Sequence, residues 1–307
     1  MERKNSSGDR TSLTVEAPAK INLYFEILGK RPDGFHEVET VVLPVDWFDT
    51  LTVERLDARS GTLQIECRDD SGADLSEQIP SEKNLALCAA RLLADAAGIS
   101  IPTRLTLIKR IPSEAGLGGG SSDAAAAFLA LNRLWRTGLS LSELAQLAAT
   151  LGSDIPLFFT SGLSRCTGRG ERVEPLFPVR NLCFVLYKPP QGLSTAAVYR
   201  ASDALGESNR QTPTRLLNAL AHGKIEEIGP ALFNRLEESA QRLWPDLVEI
   251  RNEFIRAGAA AVRMTGSGTC TYALCENRSC ADELAEGLMG KLPGEFRVVE
   301  NLKNGTL

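Results

Sequence analysis

The chain has 307 residues, with 34 Lys and Arg against 39 Asp and Glu, a net charge of -5 and a pI near 5.4. At roughly 150 residues per domain this length favours two domains, each able to bury a core, and 43% apolar with 24% charged residues is an ordinary globular balance. The acidity argues against a nucleic-acid binder. No run approaches the roughly 18 to 20 apolar residues that span a bilayer, and the polar opening MERKNSSGDR lacks the apolar centre of a secretory signal, so a cytoplasmic location is expected. Seven cysteines, none in a CxxC pair, read as reduced and mostly buried thiols. The two histidines, His36 and His222, leave few candidates for a His-rich metal site or a Ser-His-Asp hydrolase, and no set of protein metal ligands is expected.

In chain order, the first ten or so residues read as a frayed tail. Segments 13–16, 21–28, 38–45, 50–56 and 62–67, rich in Val, Ile, Leu, Thr and Phe, read as strands, with Pro32-Asp33-Gly34 as a turn. Helical spacing over 84–97 is stopped by Gly98, and alternation over 103–110 predicts a half-buried strand. A helix over 123–135 follows a glycine-rich loop. Another starts near Ser140, where Glu143 completes a capping box, and ends near Gly152. In the second half, a strand over 182–187 precedes helical stretches near 214–221, 229–243 and 246–257. Strands at 260–264 and 269–275, a helix at 281–288 and a strand at 296–300 complete a β-α-β-β-α-β order with extra helices inserted, the order of a ferredoxin-like split unit.

The most informative stretch is 111–127, IPSEAGLGGGSSDAAAA. Gly116, Gly118, Gly119 and Gly120 let the backbone approach a ligand with no side chain in the way. Ser121, Ser122 and Asp123 then open a helix whose unpaired N–H groups and partial positive charge favour an anion such as phosphate. The stretch has neither the GxxxxGK[ST] of a Walker A loop nor the third glycine of GxGxxG, since position 121 is serine. A flexible loop with a serine N-cap is the plainer alternative for a glycine cluster taken by itself.

Pro112, Ser113, Glu114, Ala115, Gly116, Leu117, Gly118, Gly119, Gly120, Ser121 and Ser122 (PSEAGLGGGSS) resemble the P-x-x-x-G-L-x-G-S-S-A loop of the GHMP kinases. Three further segments are similar to one branch of that family, in the same order along the chain: APAKINLYFEILGKRPDGFHEVET at 17–40, LGSDIPLFF at 151–159 and RMTGSGTC at 263–270. The resemblance implies an α+β, two-domain fold, with a ribosomal-S5-like N-terminal domain over 11–175 and a ferredoxin-like C-terminal domain over 176–303. It implies ATP held by the glycine loop, with Mg²⁺ carried largely by the phosphates, and transfer of a phosphoryl group to the 2-hydroxyl of a cytidine diphosphate-linked methylerythritol. That product, the 2-phosphate, belongs to non-mevalonate isoprenoid precursor synthesis. A homoserine- or mevalonate-type kinase and a non-catalytic nucleotide sensor are the alternatives, and RPDGFH speaks against the first.

By the same resemblance, Asp154 is the general base and Lys20 the nearby cation that keeps it ionised. On position alone Asp154 also reads as a loop residue capping N–H groups, and Lys20 as a surface lysine. Both border apolar segments, where charges tend to be paired. The resemblance gives Asn22 a hydrogen bond to the polyol or a phosphate, Phe35 a stacking face for cytosine, and His36 a bond to the edge of the base. Phe35 stands where many members have tyrosine. Tyr199 is either the opposite face of a cytosine sandwich or a core tyrosine. Lys109 either approaches the nucleotide or is solvated. Gly266 and Gly268 form a second tight turn facing the first loop and are counted among the substrate-binding residues, and either Ser121 or Ser122 touches phosphate or Mg²⁺. No nucleic-acid or membrane partner is expected, and the chain is expected to be a monomer or weak homodimer.

Overall fold

The computed structural model describes residues 11–57, 63–206 and 209–302; the expected frayed tail lies outside them. The elements in chain order are β1 (Ser12–Lys30), β2 (His36–Arg55), β3 (Leu63–Asp69), α1 (Leu85–Ala97), β4 (Thr103–Lys109), α2 (Gly119–Trp135), α3 (Leu141–Ala149), β5 (Ser164–Gly168), β6 (Arg172–Pro175) and β7 (Cys183–Lys188). They continue as α4 (Thr195–Leu205), α5 (Thr214–His222), α6 (Ile225–Ile228), β8 (Phe233–Asn234), α7 (Leu236–Leu243), α8 (Asp246–Arg256), β9 (Ala261–Met264), β10 (Thr271–Cys275), α9 (Arg278–Leu288) and β11 (Glu295–Glu300). Among the described residues, no helix is long and apolar enough to cross a membrane. Each of the seven cysteines is a free thiol, and five are buried.

The chain forms two compact units, each discontinuous in sequence. The first comprises Met1–Ala17, Phe48–Arg110 and Gly120–Phe159. In it β3 runs parallel to β4, from Leu63 opposite Thr103 to Asp69 opposite Lys109, and β4 is antiparallel to the end of β2. The strict alternation of β4 buries Thr103, Leu105, Leu107 and Lys109 on one face, so strand periodicity itself carries a lysine into the interior. Side chains at the helix starts set the boundaries of α1 and α3. Asn84 Oδ1 accepts from Ala86 N at 3.0 Å, and Gly98 ends α1 in the left-handed region at φ 64°. Ser140 and Glu143 form the capping box expected from their spacing. The alanines of α2, Ala124 to Ala127, are all buried, and such small side chains allow close approach of neighbouring elements.

The second unit comprises Pro18–Trp47, Ile111–Gly119 and Thr160–Leu307. Here β5 pairs with the start of β2 and with β6, and β8 adds in parallel to β1 through Tyr24 opposite Phe233 and Phe25 opposite Asn234. A separate antiparallel sheet has the order β11-β7-β10-β9, the arrangement of the split β-α-β-β-α-β unit expected from the sequence. It is covered on both faces. Phe184 and Leu186 of β7 pack with Ile21, Leu43, Trp47 and Tyr272, while Val185 and Tyr187 pack with Phe254, Val262, Met264 and Leu288.

Several boundaries differ from the sequence reading. Segments read as four strands between residues 13 and 56 are two long ones, β1 buried on both faces from Ala17 to Glu26 and β2 from Val38 to Val45. The α2 helix begins at Gly119, four residues before the expected start, since glycine and serine are weak helix signals. The β5–β6 hairpin and α4 had no sequence counterpart. The helix expected over 229–243 is interrupted at Asn234, whose Nδ2 donates to Met264 O at 2.7 Å and Gly266 O at 2.9 Å while its Oδ1 accepts from Leu236 N at 3.0 Å.

Asn234 thus ties β8, the start of α7 and the turn after β9 together from a buried position. Asn234→Ala leaves two buried carbonyls without that donor and is expected to destabilise the protein by about 2 kcal/mol in urea unfolding. A loss under about 0.5 kcal/mol would show that those carbonyls find other partners.

Candidate active site

The glycine loop and the turn between β9 and β10 are pressed backbone to backbone. Gly116 adopts φ 72° and Gly118 φ 73°, values suited to glycine. A Cβ on Gly116 would lie 2.3 Å from Thr265 O, and one on Gly266 would lie 3.2 Å from Gly116 O. Cys270 N donates to Ala115 O at 3.2 Å, and Lys20 N donates to Leu117 O at 2.9 Å. Gly266, at φ 57°, and Gly268, at φ 89°, therefore form the tight turn expected of them, and its immediate neighbour is the first glycine loop.

The same contacts carry Lys20 and Asn22, at 4% and 3% exposure, on β1. Asn22 N donates to Thr265 Oγ1 at 2.9 Å, and Tyr272 Oη donates to Asn22 O at 3.0 Å. The Asn22 side chain accepts from Lys20 Nζ at 2.6 Å through Oδ1 and donates to Thr40 Oγ1 at 2.8 Å through Nδ2. A buried ammonium needs such acceptors.

In the first unit, the start of α2 holds Ser122 at 1% exposure, and its Oγ has no hydrogen-bond partner among the described residues. Beside it, Asp123 Oδ2 accepts from Lys109 Nζ at 2.7 Å, while Oδ1 has no hydrogen-bond partner among the described residues. Lys109 also bonds Asp49, which accepts from Arg110 N as well. Burial pushes the Asp123 carboxyl up, with the Lys109 ammonium opposing it; burial works against the Lys109 charge, but Asp123 and Asp49 raise that ammonium overall. The structure therefore commits Lys109 to a buried ion triad at the foot of the helix. Asp154 is exposed, just ahead of a 3-10 turn (Ile155–Phe159) whose Ile155, Pro156, Leu157 and Phe158 are buried. Four anchoring side chains hold the carboxylate's backbone while leaving its head accessible.

A third cluster lies in the second unit. The Pro32-Asp33-Gly34 turn is closed by Asp33 Oδ1 accepting from Phe35 N at 3.1 Å. It presents Phe35 at 52% exposure, with the Arg169 guanidinium 4.7 Å above the ring. His36 opens β2 and lies 4.8 Å from the Tyr199 ring at an interplanar angle of 34°. Its Nε2 donates to Asp203 Oδ1 at 2.6 Å, and Lys30 Nζ donates to Asp203 Oδ2 at 2.6 Å. Those two bonds hold the Asp203 carboxyl below the usual carboxylate range. A cavity of about 480 Å³ adjoins them, lined in part by Ile27, Lys30, His36, Asp203, Arg210 and Arg235. A larger cavity of about 1110 Å³, lined by Arg180, Lys224, Ala261 and Cys275 among others, contains none of the residues singled out in the sequence.

The structure thus gathers Lys20, Asn22, Gly116, Gly266 and Gly268 in one place, and His36 with Tyr199 in another. Sequence reasoning missed Thr265, Asn234, Asp49, Lys30 and Asp203. Only Asp203 left a usable signal: Tyr199 and Asp203 are four apart, on one face of a helix. Among the described residues, no cluster of three or more His, Cys, Asp or Glu is placed to hold a metal.

Two family models match the chain, GHMP kinases N terminal domain over residues 84–162 and GHMP kinases C terminal over residues 216–292. A 4-diphosphocytidyl-2-C-methyl-D-erythritol kinase of Pelotomaculum thermopropionicum is 41% identical over 273 residues, covering 89% of this chain and 92% of the relative. One of Shouchella clausii is 39% identical over 90% of each. A crystal structure of a 4-(cytidine 5'-diphospho)-2C-methyl-D-erythritol kinase superposes with a TM-score of 0.78 at 34% identity, covering 95% of this chain and 100% of that one. A homoserine kinase from Cytophaga hutchinsonii, at 18% identity and a TM-score of 0.73 over 96% of each chain, shares the fold alone. The glycine loop, its partner turn and these matches over nearly the whole length agree: the chain belongs to the GHMP kinase family, in the branch of the 4-diphosphocytidyl-2-C-methyl-D-erythritol kinases.

Proposed function

We propose that the chain phosphorylates the 2-hydroxyl of 4-diphosphocytidyl-2-C-methyl-D-erythritol at the expense of ATP, giving the 2-phosphate and ADP in the cytoplasm, as a step of non-mevalonate isoprenoid precursor synthesis. The observation that carries this reading is 41% identity over 89% of the chain with a relative bearing that kinase's name. The S5-like and ferredoxin-like halves are taken to divide near residue 175, and the enzyme to act as a monomer or weak homodimer.

The residues present fit a nucleoside triphosphate. Gly116 and Gly118 hold conformations suited to glycine, and the buried Ser122 Oγ is free to serve a phosphate or its cation, which favours Ser122 over Ser121 for that contact. In this reading residues 112–122 hold the phosphates through main-chain N–H groups. ATP supplies the phosphoryl group when bound, and Mg²⁺ neutralises its charge. Asp154 takes the proton of the 2-hydroxyl, so that the hydroxyl oxygen can form the new bond to phosphorus while the bond to ADP breaks. Lys20 favours the ionised form of Asp154, and Asn22 hydrogen-bonds the polyol or a phosphate. Phe35, His36 and Tyr199 hold the cytosine. Gly266 and Gly268 act by shaping the glycine loop. Lys109, bound to Asp49 and Asp123, acts by fixing the start of α2.

Coupled ADP-release assays with ATP, Mg²⁺ and each of the cytidine compound, mevalonate and homoserine test the substrate. Turnover of the cytidine compound alone is expected, and turnover of either other alcohol in its place would overturn the reading. Asp154→Asn should keep ATP binding while the rate falls about 10² to 10⁴-fold; near-normal turnover would remove Asp154 from the chemistry. Gly119→Val should instead weaken ATP binding in titration calorimetry, since a branched side chain then fills the space the phosphates need. Unchanged affinity would contradict a phosphate-binding loop.

A further inference from the structure

Resting on the substrate proposed above, we infer that Asp203 is a positioning residue: it fixes the tautomer of His36 and thereby makes the base pocket select cytosine over uracil. Asp203 lies one helical turn beyond Tyr199 on α4. Its two oxygens have separate tasks. Oδ2 is taken by Lys30 Nζ at 2.6 Å, and Oδ1 is left to face His36 Nε2 at 2.6 Å. A carboxylate only accepts hydrogen bonds, so when the ring holds a single hydrogen Nε2 carries it, and Nδ1 is left with a lone pair. The imidazole has little freedom to escape this choice: its side chain is 10% exposed, and the Tyr199 ring lies along it at 4.8 Å.

A ring nitrogen held as an acceptor has one suitable partner on the edge of cytosine, the exocyclic N4 amine, because N3 and O2 are themselves acceptors. Uracil places the O4 carbonyl where cytosine has the amine, and would set two acceptors against each other. The Lys30–Asp203–His36 chain therefore converts the position of one proton into a choice of base. Neither Phe35 nor Tyr199 can make that choice, since an aromatic face stacks on either pyrimidine.

Asp203→Asn tests this with almost no change in shape. Lys30 continues to donate and retains the amide oxygen, which turns the NH₂ toward Nε2; the ring must then accept there and carry its hydrogen on Nδ1. The wild-type enzyme is expected to prefer the cytidine substrate over its uridine analogue by about 10 to 10²-fold in kcat/KM. In Asp203→Asn that ratio should fall to within about threefold of one, through the KM of the cytidine compound rather than kcat, and Asp203→Glu should restore part of it. Because the chain has two histidines, ¹⁵N spectra of a His222→Gln background report His36 directly. They should show hydrogen on Nε2 in the wild type and on Nδ1 in Asp203→Asn. An unchanged base preference in Asp203→Asn, or hydrogen on Nδ1 in the wild type, would overturn the role of Asp203. A wild type that turns over mevalonate or homoserine and not the cytidine compound would instead overturn the substrate, a failure the imidazole spectra distinguish from the first.

Discussion

The second unit depends on the contact between two glycine turns that lie too close for any side chain. With a Gly116 Cβ position 2.3 Å from Thr265 O, the approach exists only because neither loop carries a Cβ there. Its consequences run outward through hydrogen bonds. Thr265 Oγ1 receives Asn22 N, Asn22 Oδ1 receives the Lys20 ammonium, and Lys20 N returns to Leu117 O in the first loop. The loop proposed to hold phosphates, the amide proposed to meet the substrate and the cation proposed to favour the base are thus one closed circuit. Displacing one member displaces the others, a preorganisation that chemistry in a confined site demands.

Buried charge is handled differently in the two units. Lys109 is drawn inside by the alternation of β4 and is held by two carboxylates, an arrangement whose natural role is to anchor. Lys20 is also buried, and the neutral amide of Asn22 accepts from it at 2.6 Å. Asp154 is the reverse case, an exposed carboxylate on a buried turn. The role of general base proposed for Asp154 calls for an accessible carboxylate on a fixed backbone, and the buried 3-10 turn is consistent with that.

Much of this was legible in the sequence, for reasons that differ by residue. The capping box of Ser140 and Glu143 and the stop at Gly98 act within one helical turn, so spacing alone reveals them. The ferredoxin-like order was visible because each of its strands is a short apolar run between punctuating residues. The continuity of β1 and β2 was not: their segments read as separate strands, and nothing local shows that 17–20 and 46–49 join them. Thr265, Asn234 and Lys30 carry no local signal at all: each matters through a partner far along the chain, 243 residues away for Thr265 and Asn22. Asp203 went unread although it stands four residues after Tyr199, because α4 follows two prolines and a glycine and was not recognised as a helix.

Amide hydrogen exchange over residues 112–122, with and without a non-hydrolysable ATP analogue, tests most directly whether main-chain N–H groups of the glycine loop grip a nucleotide. Slowed exchange concentrated at Gly118 to Ser122 on addition of the analogue is the predicted result. Exchange rates in that stretch that stay the same at saturating analogue, with protection appearing elsewhere in the chain, would contradict it.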